Sequence, residues 1–243
     1  MKNNDIFENL FVLDIANNHF GSLSHAKKII DQYGKIVKKL KIKAVFKFQF
    51  RNLETFVHKD FINSEEKYVR RFLDTKLSDK NFEILVKKIK KKNILTSCTP
   101  FDEQSVDKIE KLKFDIIKIA SVSALDFNLH ERVIKNKIPK IISTGGIKIE
   151  DVDKIVSFYK KMKQQFAIMH CVSLYPSEND KLQLSLIKDL NERYRDVPIG
   201  WSTHEDPKDF RPSILALASG AKIFEKHIGI SSKKFKLNNY SIL

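Results

Sequence analysis

The sequence predicts a (β/α)₈ barrel, and three observations lead to that fold class. Eight short apolar runs recur along 243 residues, several of them nearly continuous, as expected for parallel strands buried on both faces. Amphipathic segments separate the runs. Almost every run ends in polar side chains capable of chemistry, and such a barrel carries its active site at the carboxyl ends of its strands.

The apolar runs predict the strands in chain order. They span residues 10–16, 44–50, 94–98, 116–120, 140–143, 166–171, 199–202 and 223–225. Apolar side chains at three-to-four-residue spacing predict helices over residues 24–40, 79–91, 102–112, 149–162 and 182–191. Strands alternating with helices indicate a parallel sheet closed by right-handed crossovers.

We expect one barrel domain spanning residues 1–243, because no Gly/Ser-rich or Pro-rich linker interrupts the pattern. The longest insertion, residues 51–76, follows the second strand and is placed to cover a pocket. Residues 229–243 show no helical period, so the barrel is predicted to lack its last helix. Further polypeptide or a partner would then cover that face, unless the chain is a fragment.

Composition narrows the class of partner. The formal net charge is +15, from 45 basic and 30 acidic residues, and the lysines recur along helix-like segments as solvated faces. Arginine is scarce and no basic stripe forms, so we expect no nucleic-acid partner. The charge can still attract anionic substrates.

The same composition predicts a cytoplasmic protein. No apolar stretch approaches the roughly 20 residues that span a bilayer, and the N-terminus does not resemble a signal peptide. We therefore expect no membrane partner. Cys98 and Cys171 lack metal-type spacing and are interpreted as reduced thiols.

Two histidines form a candidate metal site. His204 and His227 follow the seventh and eighth strands, which are neighbours about 4.8 Å apart in a closed barrel. Two imidazoles converging there could hold a divalent metal, with water or substrate completing the shell. The alternative is that each histidine hydrogen-bonds a loop.

Two lysines interrupt buried runs and predict an anion. Lys47 and Lys118 lie inside the second and fourth strands, where a buried ammonium is costly without an anionic partner. A phosphate or carboxylate ligand would supply one, with hydroxyl donors from Ser121, Ser143 and Ser202. The turn at residues 144–146 could add backbone amides. The alternative is Schiff-base chemistry at Lys118.

Three further residues give weaker signals. His19 lies in a polar turn after the first strand, a common arrangement. Tyr175 follows the sixth strand and could serve packing or substrate stacking. His170 lies within a buried run and is interpreted as a core histidine satisfied by hydrogen bonding.

Taken together, these motifs resemble the sialic acid synthase family, the phosphoenolpyruvate-condensing enzymes that make nonulosonic acids. The resemblance runs from about Phe11 to His227. The motifs are Asn18-His19-Phe20-Gly21-Ser22, Phe46-Lys47-Phe48-Gln49, Ser97-Cys98-Thr99-Pro100-Phe101-Asp102, Ile117-Lys118-Ile119-Ala120-Ser121, Ile142-Ser143-Thr144-Gly145, Met169-His170-Cys171 with Tyr175-Pro176, Gly200-Trp201-Ser202-Thr203-His204 and Glu225-Lys226-His227.

The resemblance implies a role for each site residue. It implies that His204 and His227 bind manganese or magnesium, and that they act in catalysis with Lys118 and Gln49. Phosphoenolpyruvate would be held by Lys47, Lys118, Ser121, Ser143 and Ser202. An N-acetylated amino sugar would contact Asp14, Gln49, Tyr175 and Asn238.

The implied reaction has a physical logic. A metal held by His204 and His227 would polarise the aldehyde of the open-chain sugar as a Lewis acid. The methylene carbon of phosphoenolpyruvate attacks that aldehyde, water captures the charge on its second carbon, and phosphate leaves. Lysines and serines fix the phosphate and lower the entropy cost of the encounter.

Several positions depart from the family pattern. Ser123 replaces an acidic residue, Thr203 an aspartate, Ser173 an asparagine, and Asn238 a second aspartate, so Asn238 cannot act as a carboxylate base. The antifreeze-like domain that supports the family's dimer is not in this sequence, which leaves homodimerisation open. The alternative function is therefore a degenerate barrel that binds an anionic ligand or partner without turnover.

Overall fold

Eight parallel strands pair in chain order and close into a barrel. The structure is a computed structural model that describes residues 5–238 and 240–242, the side chains of residues 5 and 68 excepted. The strands are β1 Leu10–Asp14, β2 Lys43–Phe50, β3 Leu95–Pro100, β4 Ile116–Ile119, β5 Lys140–Ser143, β6 Phe166–Cys171, β7 Ile199–Ser202 and β8 Ile223–His227. The (β/α)₈ prediction is confirmed.

Helices cover the outside of the barrel. They are α1 Leu23–Leu40, α2 Leu53–Phe56, α3 Lys67–Asp74, α4 Asp79–Lys90, α5 Glu103–Lys111, α6 Phe127–Val133, α7 Ile149–Lys161, α8 Ser185–Arg193 and α9 Arg211–Ala218. The five helices predicted from periodicity are present as α1, α4, α5, α7 and α8. The other four helices have eight residues or fewer, and one or two turns give too few apolar repeats to be predicted from periodicity.

Two strand boundaries differ from the prediction in ways that matter for the site. β1 ends at Asp14, two residues earlier than expected, and Ala16 takes a left-handed φ of 46° that cannot continue a strand. β8 extends two residues further, so His227 belongs to the strand itself. Its ring is therefore fixed by the sheet and not by a loop.

The amino end of the barrel is filled by apolar side chains. Phe7, in the 3₁₀ turn before β1, joins a buried cluster of residues from the starts of the strands, namely Leu10, Val12, Val45, Ile116, Ile141, Ala167, Met169 and Ile223. This packing closes the amino end of the barrel interior. A larger cluster packs between strands and helices and includes the fully buried Trp201.

Residues 228–238 and 240–242 form a segment that we call the C-terminal strap. Its backbone returns beside β8, where the Ile242 amide donates to the His227 carbonyl at 2.8 Å. The Tyr33 hydroxyl, on α1, also donates to the Ile242 carbonyl at 2.7 Å. Within this described part of the strap no helix follows β8, in agreement with the predicted lack of a last helix.

None of the helices in the described part of the chain is long and apolar enough to cross a membrane.

Candidate active site

A cavity of about 1290 Å³ opens at the carboxyl ends of the strands. It brings together every site residue predicted from the sequence, although these come from segments far apart in the chain. Its lining includes Asp14, Lys47, Gln49, Lys118, Ser121, Ser143, Tyr175, Ser202, His204, His227 and Asn238. The structure thus shows that these side chains share one space, while their individual roles stay predictions.

The floor of the cavity is a buried cluster of ion pairs centred on Glu225. Lys47 donates to Glu225 Oε1 at 2.7 Å, and Lys118 Nζ lies 3.3 Å from the same oxygen. Ser202 donates to it at 3.2 Å. Asp14 adds a second carboxylate, 3.1 Å from Lys47 Nζ. The two ammonium groups therefore already have counterions within the protein.

This cluster corrects one inference from the sequence. Burial of two lysines predicts an anionic ligand, but Glu225 and Asp14 already supply the negative charge that burial requires, so burial by itself does not demand a ligand. Each ammonium has three donors, so both lysines keep N–H groups for a ligand. Glu225 could have been found from sequence, because it lies two residues before His227 on one strand and must face the same side.

Burial and the neighbouring charged groups have opposite effects on the pKa values of Lys47 and Glu225. Burial alone would lower the pKa of Lys47, but Asp14 and Glu225 outweigh it and raise the pKa above the usual lysine value. Burial would raise the pKa of Glu225, yet Lys118 and Lys47 hold it well below the usual range. The pKa of Lys118 is lowered, by burial and by neighbouring Lys47, despite Glu225.

The two predicted metal-binding histidines stand beside one another. The ring centroids of His204 and His227 are 5.2 Å apart, and His227 Nε2 lies 3.7 Å from Asp14 Oδ2. Burial and the neighbouring His227 lower the pKa of His204 to about 3. Burial also lowers the pKa of His227, against the opposing charge of Asp14. Both imidazoles are thus neutral near pH 7, with lone pairs available.

Two tyrosines pack against the histidine pair. The ring of Tyr175 is 4.0 Å from that of His204, between centroids. Tyr240 comes from the strap, with its ring 5.3 Å from His204 and 5.5 Å from His227. The strap therefore forms one wall of the site, a contribution that the sequence analysis did not predict.

Several buried polar atoms in the cavity lack a partner among the described residues. They are Arg51 Nε, Thr99 Oγ1, Ser143 Oγ and the Nδ1 atoms of His204 and His227, while Glu225 Oε2 accepts no hydrogen bond but lies 3.3 Å from Lys118 Nζ. Buried polar groups are normally hydrogen-bonded, and unsatisfied ones cost about 1–3 kcal/mol each. Their concentration in one cavity is typical of a binding site in which the ligand supplies the missing hydrogen-bond partners.

The histidine pair fits a divalent metal in its chemistry. Both rings are neutral near pH 7 and both Nδ1 atoms are unpaired, as a ligating imidazole requires. Within residues 5–238 and 240–242, no group of three or more histidine, cysteine, aspartate or glutamate side chains could hold a metal. The protein would therefore supply two ligands, with water or substrate oxygens supplying the others.

The predicted backbone cradle at residues 144–146 is partly occupied. The Gly145 amide donates to Ser121 Oγ at 3.0 Å, so it does not face a ligand directly. A β-carbon at Gly145 would lie 2.6 Å from Ser173 Oγ and 3.0 Å from the Cys171 carbonyl oxygen, so a larger residue there would displace its neighbours. The bond holds Ser121 at the cavity wall.

The hydrogen bonds of His170 and His19 show the structural role of each ring. His170 Nε2 contacts the Leu182 carbonyl at 2.8 Å, so it is a satisfied core histidine, as interpreted. His19 Nδ1 accepts from the Gly21 amide at 3.2 Å, and burial lowers its pKa to about 4. Its ring serves the turn after β1.

The insertion after β2 covers the cavity, as the sequence predicted. Arg51, together with Lys67, Arg71, Phe72 and other residues of α3 and its ends, contributes to the lining. Arg51 lies over the rings of Phe72 and Phe101, at 4.4 and 4.2 Å from their centroids. These cations were not identified as site residues, because nothing in the sequence fixes how the insertion folds back.

A nearby glutamate supplies a carboxylate where the chain lacks one of the family's aspartates. Thr203 stands where the family has an aspartate, but the buried Glu205 accepts a hydrogen bond from Thr203 at 2.5 Å. Glu205 also pairs with Lys226, whose ammonium lies 4.5 Å from the Trp201 ring centroid. A carboxylate is thus retained beside the β7–β8 pair. Ser123 lies buried in the 3₁₀ turn after β4.

The model of the NeuB family matches residues 36–239. The chain belongs to the NeuB family. Sequence motifs and the barrel cavity pointed to the same group.

Solved structures of NeuB-like proteins agree with the fold. A protein of Chromobacterium violaceum named for spore coat polysaccharide biosynthesis (protein E) is 42% identical, with a TM-score of 0.93 over 96% of this chain and 70% of that one. The N-acetylneuraminic acid synthetase of Leptospira borgpetersenii is 30% identical, with a TM-score of 0.82 over 99% of this chain and 79% of that one.

Curated relatives include the human N-acetylneuraminate-9-phosphate synthase, which is 26% identical over 95% of this chain and 64% of its own length. The chain spans only 59–64% of the length of the first curated relatives it matches.

Proposed function

We propose that the chain is the barrel of a phosphoenolpyruvate-dependent condensing enzyme of nonulosonic acid biosynthesis. It would join phosphoenolpyruvate to an N-acetylated amino sugar and release phosphate, in the cytoplasm. The observation that carries this proposal is a single cavity in a NeuB-family barrel containing two neutral imidazoles, two buried ammonium groups and a set of unpaired hydroxyls.

The floor suits a phosphorylated three-carbon acid. Lys47 and Lys118 keep free N–H donors, and Ser143 offers an unpaired hydroxyl. Charge-assisted hydrogen bonds from such donors to phosphate are about twice as strong as neutral ones. Because the lysines are held by Glu225 and Asp14, they need not reorganise when the anion arrives.

Manganese or magnesium would be held by His204 and His227, where it would supply Lewis-acid polarisation of the acceptor's carbonyl oxygen. Asp14, 3.7 Å from His227, would orient that ring through its Nε2. Gln49, Tyr175 and Asn238 would line the acceptor side.

The test is release of inorganic phosphate from phosphoenolpyruvate with Mn²⁺ and a panel of N-acetylated amino sugars. We expect release that requires all three components. His204→Ala and His227→Ala should each lower the rate at least about 100-fold, because each removes one of two protein ligands. His58→Ala, at an exposed histidine outside the cavity, is the control.

Absence of release over a broad acceptor panel would instead favour the alternative of a barrel that binds an anion without turnover. Full rates in either histidine variant, with metal controlled by chelation, would refute the assigned metal pair.

A further inference from the structure

The two histidines of the candidate metal site are held in different ways. His227 belongs to β8 and is paired in register with β1. The hydrogen-bonded ladder between β7 and β8 ends at Ser202 and Glu225, so His204 lies two residues beyond it. Residues 203–206 form neither helix nor strand. The sheet therefore fixes one imidazole of the pair, while the other has to be fixed by side chains.

A buried ion pair continues the contact between the two strand ends past the ladder. Glu205 is only 1% exposed, and its Oε1 pairs with the ammonium of Lys226. The same ammonium donates to the Thr203 carbonyl at 3.3 Å. The Thr203 hydroxyl in turn donates to Glu205 Oε2 at 2.5 Å, so both carboxylate oxygens are used. The turn after β7 is thus closed on itself and tied to the residue that precedes His227.

This ion pair lies behind the site and not in it. Side chains alternate along a strand, so Lys226 points away from the cavity that His227 lines. Its ammonium lies 4.5 Å from the ring centroid of Trp201, which belongs to the packing between strands and helices. Neither Glu205 nor Lys226 lines the cavity. The pair can therefore act on the site only through the histidine on each side of it.

The backbone of His204 is also held from the opposite side. The Ser177 amide donates to the His204 carbonyl at 3.0 Å, and the His204 amide donates to Ser177 Oγ at 3.2 Å. The Ser177 hydroxyl gives its own proton to the Leu174 carbonyl at 2.8 Å. His204 thus lies between the loop after β6 and the turn that Glu205 closes. Its ring is directed at His227 by the protein alone.

We propose that Glu205 is a positioning residue, which sets the spacing of His204 from His227 through the turn that it closes. The inference rests on the proposed function, to which the metal pair belongs. Contacts of this kind behind a metal ligand typically change metal affinity by about 10- to 100-fold. The inference also accounts for Thr203 where the family has an aspartate, because a second carboxylate there would repel Glu205.

The decisive variant is Glu205→Gln combined with Lys226→Met. Neutralising both partners leaves no buried charge unpaired, so the midpoint of urea unfolding should stay near that of the wild type. The matched control is Glu110→Gln with Arg132→Met, which neutralises an ion pair between α5 and α6 outside the cavity. Thr203→Val keeps the shape of the side chain and removes only the hydroxyl donor, which gives a milder second variant should the first fail to fold.

Mn²⁺ titration by calorimetry, without phosphoenolpyruvate or acceptor, is the first measurement. We expect the Glu205/Lys226 double variant to bind Mn²⁺ about 10-fold more weakly than the wild type, and Thr203→Val to show a smaller loss. The control pair should bind as the wild type does. Because the ion pair does not line the cavity, KM for phosphoenolpyruvate at saturating Mn²⁺ should not change. Wild-type affinity in the folded double variant, or an equal loss in the control, would overturn the inference.

Hydrogen exchange in the metal-free protein separates this inference from the proposed function. The amides of residues 203–206 should exchange about 10-fold faster in the double variant, as loss of a hydrogen bond of ordinary strength allows. Strands β7 and β8 should keep their protection. If the wild type bound no Mn²⁺, the proposed function would lose its metal pair, and exchange alone would decide the positioning role. Unchanged exchange at residues 203–206 would overturn that role, whatever the activity of the enzyme.

Discussion

At the residue scale, Glu225 explains how two lysines can be buried side by side. Its carboxylate lies between Lys47 and Lys118 on the cavity floor, each within 3.3 Å. Removing one partner from a buried ion pair leaves uncompensated charge and costs about 3–5 kcal/mol. The stability of the floor and its readiness for an anion therefore depend on the same residue.

Glu225→Gln should lower the free energy of unfolding by about 3 kcal/mol, because both ammonium groups lose their shared counterion. Saturating inorganic phosphate should then stabilise the variant more than the wild type, since an external anion can replace the lost charge. Urea unfolding with and without phosphate measures both effects. Glu131→Gln, at an exposed position on α6, is the matched control. A variant as stable as the wild type would contradict the role assigned to this carboxylate.

His19 predicts a loss of stability in acid. Burial lowers its pKa from 6.5 to about 4, so between these values the unfolded chain binds a proton that the folded chain does not. Its contribution is therefore fully present above pH 6.5 and is lost as the pH falls towards 4. The loss amounts to about 3 kcal/mol by pH 4.

His19→Asn retains an acceptor for the Gly21 amide and removes the titrating ring, so it should flatten the stability profile between pH 6.5 and 4. Chemical denaturation at intervals across this range measures the slope. An unchanged slope in the variant would show that other groups carry the acid sensitivity.

Site residues could be predicted from the sequence where a strand fixes the direction of the side chain. Lys47, Lys118 and the histidines follow from buried runs and strand ends, and all face one cavity. Arg71 and Tyr240 could not be predicted, because the insertion and the strap have no periodic pattern that fixes their path. Glu225 was missed despite a usable signal, the two-residue spacing to His227.

At the element scale, the strap is the part of the fold that the sequence left undefined. The strap has no helical or strand periodicity, and tertiary contacts fix its path instead. Phe235 packs with its ring centroid 5.0 Å from that of Phe20 and 4.2 Å from that of His25, while Asn18 bonds to both ends of the strap. Elements defined by a few such contacts are poorly encoded in local sequence.

Asn18→Ala should loosen the strap, because it removes the bonds to the Ile228 carbonyl and to Ser241. Leaving buried groups without partners costs about 1–3 kcal/mol locally. Hydrogen exchange should therefore increase across residues 229–238 and 240–242 while the barrel strands keep their protection. Asn128→Ala, at an exposed asparagine of α6, should leave the exchange pattern unchanged. Equal protection of the strap in both variants would contradict this anchoring role.

Tyr240→Ala tests the strap's contribution to the site itself. The ring contacts both histidines, so its loss should free their side chains and weaken Mn²⁺ binding about 10-fold, as loss of a supporting contact typically does. Metal titration followed by calorimetry measures this directly. Unaltered affinity would mean that the ring only covers the cavity.

At the scale of the whole molecule, the apolar filling of the barrel and the candidate site lie at opposite ends of the strands. The apolar cluster at the amino end closes the bottom, while polar and charged groups gather at the carboxyl end. The overall fold was predictable because eight apolar runs, separated by amphipathic segments, recur along the chain. The path of the insertion over the cavity was not, since short helices such as α2 and α3 are defined by what they pack against.

The excess of positive charge also acts at this scale. A net charge of +15 and a cationic cavity mouth attract anionic ligands before contact.

The most direct test of the central claim is a crystal structure with Mn²⁺ and phosphoenolpyruvate, with the metal located by anomalous scattering. We expect one manganese peak within coordination distance of both His204 and His227, and the phosphate of phosphoenolpyruvate in contact with Lys47 and Lys118. A metal bound away from the two imidazoles, or phosphoenolpyruvate bound outside this cavity, would contradict it.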